Sequence, residues 1–161
     1  MTTALLASAC GGGVATQAQR SSPTATLSEV SPAAPSSSSA PAAEGTAITT
    51  SDSEFGVTLF DERGQAIYLF DKETSGKPDC YGDCAAAWPP VLTTGVPRAT
   101  GDVQADRLGT VQRNDGTAQV TYADHPLYFY AHEGPGEVLC HDVIEYGGTW
   151  LVVTPEGTPA P

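Results

Sequence analysis

The sequence predicts a mainly β fold: a small antiparallel β-domain built from two related repeats, with one short helical turn and a disordered N-terminal tether. Three observations carry this prediction. Apolar residues alternate with other residues over short segments, and turn sequences containing Asp and Gly separate those segments. A pattern of aromatic, acidic and cysteine residues also occurs twice, about 60 residues apart. No long helical periodicity is present.

The first ten residues, MTTALLASAC, resemble the end of a bacterial lipoprotein signal peptide. A short apolar run and three small residues precede Cys10, the position at which such proteins receive diacylglycerol. A disordered apolar leader with an incidental cysteine is the alternative. We expect Cys10 to be the lipidation site, which would hold the protein to the extracytoplasmic face of the cell membrane through a lipid anchor.

Residues 11–45 are expected to form a disordered tether. The stretch from Ser21 to Ala43 is mostly Ser, Pro and Ala and has no apolar periodicity. Such a segment cannot offset its conformational entropy by burying apolar surface. Its prolines favour an extended chain. The composition therefore predicts a spacer that holds a folded domain away from the membrane.

The predicted folded domain covers residues 46–155, with repeats at about 55–95 and 108–155, and residues 156–161 follow as a tail. In the first repeat, alternating apolar residues flank the turn sequence Asp61-Glu62-Arg63-Gly64. The three alanines that precede Trp88 predict one helical turn. It should end before the two prolines that follow the tryptophan, because proline cannot continue a helix.

The second repeat contains the clearer hairpin. Segments 108–113 and 119–122 flank Asn114-Asp115-Gly116, and the Asp-Gly pair suits the positive φ that tight hairpin turns require. Further strands are predicted at 127–130 and 150–153. The second repeat is therefore expected to be a run of short strands.

Corresponding residues stand at matching positions in the two repeats. Each repeat has a tyrosine, an aromatic residue two positions later, a glutamate five positions after the tyrosine, a cysteine twelve positions after it, and then a tryptophan. The residues are Tyr68, Phe70, Glu73, Cys80 and Trp88, and then Tyr128, Tyr130, Glu133, Cys140 and Trp150. Two copies are too few for a solenoid, so we expect them to pack on each other around one core.

The tyrosines and glutamates of this pattern suggest a shared structural role. We expect Tyr68 and Tyr128 each to bury a ring and to hydrogen-bond Glu73 or Glu133 through the hydroxyl. Aromatic residues at alternating strand positions pack in a core or across strands more often than they form a ligand platform, which is the alternative.

These residues resemble a family of bacterial secreted repeats, often lipoproteins, that is named for a Tyr-x-aromatic-x-x-Asp motif and has no assigned function. The matching stretches include Cys80-Tyr-Gly-Asp-Cys84-Ala-Ala-Ala-Trp88-Pro-Pro90, Pro126-Leu-Tyr128-Phe-Tyr130 and Gly147-Gly-Thr-Trp150. The chain departs from the family pattern at Glu73 and Glu133, where Asp is usual, and at Cys140, where the second repeat typically has no cysteine. The resemblance implies a lipid-anchored or secreted β-repeat domain and implies no reaction.

Cys80 and Cys84 are the favoured disulfide pair, because nearby cysteines of an exported protein are usually oxidised. A bridge from Cys140 to either of them is the alternative, and it requires Cα atoms within about 7 Å. In the favoured pairing Cys140 remains a free thiol.

A different hypothesis is an extracytoplasmic redox, metal-binding or haem-binding protein that uses Cys80, Cys84, Cys140 and His141. Thiolates and imidazoles are suitable ligands for zinc, copper or haem iron. The spacing matches no zinc ribbon, however, and Cys-x-x-x-Cys differs from the haem-attachment motif. No cofactor is therefore expected.

Charge and motifs exclude several classes of function. The chain has 7 Lys+Arg and 19 Asp+Glu, a formal net charge of −12, which argues against a nucleic-acid partner. It contains no Gly-x-Ser-x-Gly, His-Glu-x-x-His or phosphate-loop motif, so we do not expect an enzyme. The favoured hypothesis is a non-catalytic module that binds or scaffolds another envelope component.

Overall fold

The computed structural model describes residues 44–161. The predicted lipidation site at Cys10 and the predicted tether, up to residue 43, lie outside this range. The elements in chain order are β1 (Glu44–Ser53), β2 (Gly56–Asp61), β3 (Tyr68–Phe70), α1 (Asp83–Ala87), β4 (Leu92–Thr93), β5 (Val96–Ala99), β6 (Leu108–Gln112), β7 (Ala118–Tyr122), β8 (His125–Tyr128), β9 (Val143–Glu145) and β10 (Gly148–Val152). A 3-10 turn spans Ala105–Arg107.

The mainly β prediction is confirmed. α1 is the predicted helical turn; Trp88 follows it, and then Pro89 and Pro90. The first described strand already begins at Glu44, two residues before the expected domain boundary. Among the described residues, no helix is long and apolar enough to cross a membrane.

The strands form two sheets. Three strands lie in the order β2-β1-β5, and seven belong to a second sheet in the order β4-β7-β8-β3-β10-β9, where β6 also pairs with β7. All named neighbours are antiparallel except β1 and β5, which run parallel. The two sheets are joined where the Leu59 amide donates to the Val153 carbonyl at 2.8 Å.

The two repeats meet along β3 and β8. In this antiparallel pair Tyr68 lies directly opposite Tyr128. Equivalent residues face each other in an antiparallel ladder when a two-fold axis passes between the strands. The ladder therefore relates the two repeats by an approximate two-fold axis.

The central sheet buries both of its faces. Successive side chains of a strand point to opposite faces, so Tyr68 and Phe70 enter one apolar cluster with both tryptophans. Ile67 and Leu69 enter a second cluster that also holds Ile48. All three residues of β3 are buried for this reason.

The turn predicted at Asp61 forms, but it does not make a simple hairpin. Asp61 Oδ1 accepts the backbone N–H groups of Arg63 and Gln65 at 2.9 Å each. Gly64 takes a φ of 84°, a conformation that favours glycine. β3 then leaves β2 and pairs with β8 and β10 in the other sheet. The turn therefore carries the chain from one sheet to the other.

The expected C-terminal tail folds back onto the domain. Val153 forms an isolated bridge with Pro159. The amide of Ala160 donates to the Val152 carbonyl at 2.9 Å, and the Ala160 side chain is buried. Residues after 155 are thus part of the folded unit.

Candidate functional site

The motif tyrosines and glutamates meet in the interior, and each tyrosine bonds the glutamate of the other repeat. The Tyr68 hydroxyl donates to Glu133 Oε1 at 2.5 Å. The Tyr128 hydroxyl donates to Glu73 Oε1 at 2.7 Å. All four residues are buried. The bonds therefore connect the repeats with each other, which the sequence pattern alone did not indicate.

The same carboxylate oxygens also hold the loops that follow them in the chain. Glu73 Oε1 accepts the backbone N–H of Asp79 at 2.6 Å and that of Cys80 at 3.2 Å. In the second repeat, Glu133 Oε1 accepts the N–H of Leu139 at 2.5 Å. Each glutamate thus ties its own loop to a strand of the other repeat.

Burial controls the protonation of these groups. It raises the pKa of Glu73 and of Glu133 above the ordinary carboxyl value, although hydrogen bonds to the ionised form oppose the shift. Burial and the facing carboxylates raise the pKa of Tyr68 and Tyr128 strongly, so both remain neutral donors. Within residues 44–161, Oε2 of each glutamate is buried and has no hydrogen-bond partner.

The motif tryptophans form the centre of a row of aromatic rings. Trp88 and Trp150 stack with a centroid distance of 4.0 Å and an angle of 3°. Phe70 stacks on the outer face of this pair at 4.1 Å from Trp150, and Tyr130 lies on the other side at 4.8 Å from Trp88. The predicted core role of these rings is what the structure shows, with the tryptophan stack joining the repeats.

A buried arginine, which the sequence did not predict, contacts the loop that Glu73 also holds. Arg113 donates from Nη1 to Gln119 Oε1 at 2.6 Å and from Nη2 to the Cys80 carbonyl at 2.7 Å. Its guanidinium carbon lies 4.3 Å from the centroid of the Tyr81 ring. Arg113 is the last Lys or Arg of an acidic chain. Its isolation was the sequence feature that could have drawn attention to it. It fastens the loop of the first repeat to the hairpin of the second.

The cysteines pair in the favoured way. Cys80 and Cys84 form a disulfide with a Cα–Cα distance of 5.3 Å. Cys140 is a free, half-buried cysteine, so the alternative bridge from Cys140 to the first repeat is wrong. Burial, with the nearby Glu133 and Glu145 carboxylates, raises the pKa of the Cys140 thiol. The thiol is therefore protonated and a weak nucleophile.

The redox or metal set proposed from the sequence is not assembled. Cys80 and Cys84 are consumed by their disulfide. His141 Nδ1 accepts the backbone N–H of Val152 at 3.2 Å, and its ring packs 4.4 Å from that of Phe55. No group of three or more His, Cys, Asp or Glu residues in the described part of the chain is placed to hold a metal ion. The structure therefore gives these four residues no common ligand position.

Glu145 is a second contact that the sequence analysis missed. Its Oε2 accepts the Trp88 Nε1–H at 2.9 Å. The equivalent atom of the other repeat, Trp150 Nε1, is buried without a partner among the described residues. The rings thus correspond between the repeats, but their polar contacts do not.

The comparisons with known proteins agree with the internal symmetry. Residues 49–92 and 109–154 each match one family model, described as a secreted repeat of unknown function. Together these matches cover more than half of the 161 residues. No curated protein and no solved structure matches the chain significantly.

Proposed function

This chain belongs to the family of secreted repeats of unknown function, and on that premise we propose that it is a lipid-anchored module of the cell envelope. In this proposal Cys10 carries the lipid, and the two-repeat domain binds or scaffolds another envelope component without catalysing a reaction. The disulfide between Cys80 and Cys84 fits the oxidising side of the membrane.

One observation carries the scaffolding role. The residues that define the repeat motif are turned inward, where Tyr68 and Tyr128 bond the glutamates of opposite repeats. Both hydroxyls and both Oε1 atoms are used in these contacts, and the tyrosines stay neutral because their pKa values are raised. Because these groups are hydrogen-bonded to each other in the interior, they stabilise the fold and are not available to react with a substrate.

The anchor is supported by the residues before Cys10, which are small as in lipoprotein signal peptides. Metabolic labelling with a radioactive fatty acid, followed by membrane fractionation, tests it. We expect labelled protein in the membrane fraction, and we expect Cys10→Ala to be unlabelled and released. Cys140→Ala is the matched control and should keep the label. An unlabelled, soluble protein that Cys10→Ala leaves unchanged would refute the anchor.

The absence of redox or metal chemistry is tested on the native, unreduced protein. Thiol counting on the mature, lipidated protein should find one free thiol, that of Cys140, and mass spectrometry should find the Cys80–Cys84 disulfide. Elemental analysis should find no stoichiometric metal. Three free thiols together with one bound metal ion per chain would contradict the proposal and restore the metal-binding hypothesis.

A further inference from the structure

The strand β9 is an edge strand with one exposed apolar residue. It pairs with β10 on one side, and no other described strand pairs with it. Ile144, in its centre, is 79% exposed. Leu139 before the strand and Tyr146 after it are also among the exposed large apolar residues. An edge strand presents unpaired backbone N–H and C=O groups that can pair with another strand.

The surroundings of this edge are acidic. The residues after Arg113 include seven Asp or Glu and no Lys or Arg. Glu145 follows Ile144 directly and Asp142 lies two residues before it; both are exposed, as is Glu137 ahead of them. A partner that approaches this edge therefore meets negative charge on both sides of an apolar residue.

We propose that the free edge of β9 binds an extended segment of another envelope protein, in which basic and apolar residues alternate. The segment adds a strand to the sheet through backbone hydrogen bonds. Side chains of a strand alternate between faces, so an apolar residue of the partner lies beside Ile144 while its neighbours bring positive charge towards Glu145. The inference rests on the proposed binding function and assigns it a surface.

Charge distinguishes this partner from two others. A second copy of the chain would bring its own acidic residues to the same edge, and the juxtaposition of like charges disfavours such a pair. An anionic lipid surface would be repelled by the same carboxylates. A basic polypeptide gains from them, and it would also associate faster at low ionic strength.

The test uses the full chain and a defined probe. A fluorescent peptide of alternating Lys and Val is titrated with the protein at low salt, and its anisotropy is measured. We expect saturable binding that weakens as salt is added. Ile144→Lys should weaken binding by about tenfold or more, because it removes the apolar contact and adds a like charge. Val96→Lys is the matched control, since Val96 is a 64% exposed residue on β5, and it should leave binding unchanged.

Two further peptides complete the test. Alternating Glu and Val should not bind, and the Lys–Val peptide with alternate backbone N-methyl groups should bind far more weakly, because it cannot form the ladder. Equal binding by Ile144→Lys and Val96→Lys, binding of the Glu–Val peptide, or no binding of any peptide would overturn the proposal. Self-association that sedimentation detects and Ile144→Lys abolishes would overturn it in favour of a second copy.

The outcome is separable from that of the proposed anchor. Ile144→Lys should not alter fatty-acid labelling or membrane fractionation, so a failed peptide titration leaves the anchor result standing. A soluble Cys10→Ala variant should bind the peptide as the wild type does.

Discussion

The chain segments that follow the motif cysteines pack on the same core, but they have different secondary structure in the two repeats. In the first repeat the chain after Cys80 forms the helix α1, which the disulfide to Cys84 holds in place. In the second repeat the chain after Cys140 forms the strand β9. Counting from the paired tyrosines, the residue that corresponds to Cys84 is Ile144, so the second repeat has no partner for its cysteine.

The aromatic core does not depend on whether a helix or a strand follows the motif cysteine. Trp88 follows the helix α1 and Trp150 lies in the strand β10, yet the two rings stack nearly parallel. Each tryptophan also makes an edge contact, at 5.2 Å, with the tyrosine of its own repeat. The aromatic core is therefore symmetric, and the differences lie at the periphery, where binding surfaces are free to vary.

The largest effects should come from the tryptophans, where the repeats are most alike. We expect Trp88→Ala and Trp150→Ala each to lower the free energy of unfolding by about 3–5 kcal/mol, because each leaves a cavity in the shared stack. Urea denaturation measures both values. If the two variants lost amounts of unfolding free energy that differ by several kcal/mol, the core would not be symmetric.

The disulfide should have the next largest effect, and only in the first repeat. Cys80→Ser together with Cys84→Ser should cost about 2 kcal/mol, the loop entropy of a short closed loop. Cys140→Ser is the control in the second repeat and should stay within about 0.5 kcal/mol of the wild type. If the control were the more damaging change, the free thiol would have a structural role that its position does not indicate.

The tyrosine hydroxyls should have smaller and unequal effects. Tyr68→Phe and Tyr128→Phe each remove one donor to a buried carboxylate, at a cost of about 1–2 kcal/mol. Tyr68→Phe should be the more costly, because Glu133 then keeps only the Leu139 amide, whereas Glu73 keeps two backbone amides. Denaturation of both variants in parallel checks the order, and the reverse order would contradict the assigned contacts.

The smallest expected effect is on pH dependence. Burial raises the pKa of Glu73 and Glu133 above their ordinary value of 4.5 in the folded protein. The stability linked to these groups is therefore complete below pH 4.5 and is lost as pH rises through the folded pKa. Glu133→Gln should flatten the fall in stability between acidic and neutral pH.

The control for pH dependence is an exposed carboxylate of the same repeat. Glu137→Gln removes one surface charge, which raises the pKa of Glu133 less than burial does, so it should leave the slope of stability against pH closer to that of the wild type. Thermal melts at a series of pH values measure the slope. If Glu133→Gln and Glu137→Gln changed it equally, burial of Glu133 would not be its cause.

Local sequence patterns predicted much of this fold. The strand-rich repeats, the helical turn before Pro89 and the turn at Asp61 all follow from short-range rules of periodicity and backbone geometry. The link between tyrosine and glutamate was also foreseeable, since a buried hydroxyl needs a partner. Which glutamate each tyrosine chooses was not, because that depends on the pairing of β3 with β8.

Contacts between distant segments explain what the sequence analysis did not predict. Arg113 is a hairpin residue by its sequence, and only the fold brings the Cys80 carbonyl to it. β9 was not predicted, although Gly147, which has a φ of 82°, follows it in the turn to β10. The parallel pairing of β1 with β5 involves strands far apart in the chain, and no short-range pattern reports it.

The exchanged bonds of Tyr68 and Tyr128 also make each repeat depend on the other. A polypeptide with a single unit would bury its glutamate without a hydroxyl to meet it, unless a second molecule supplied one. Two identical molecules related by a dyad would satisfy each other in just this manner. The exchanged contacts are thus those that a homodimer of single repeats would make, and joining two such repeats in one chain leaves the loops of each free to differ.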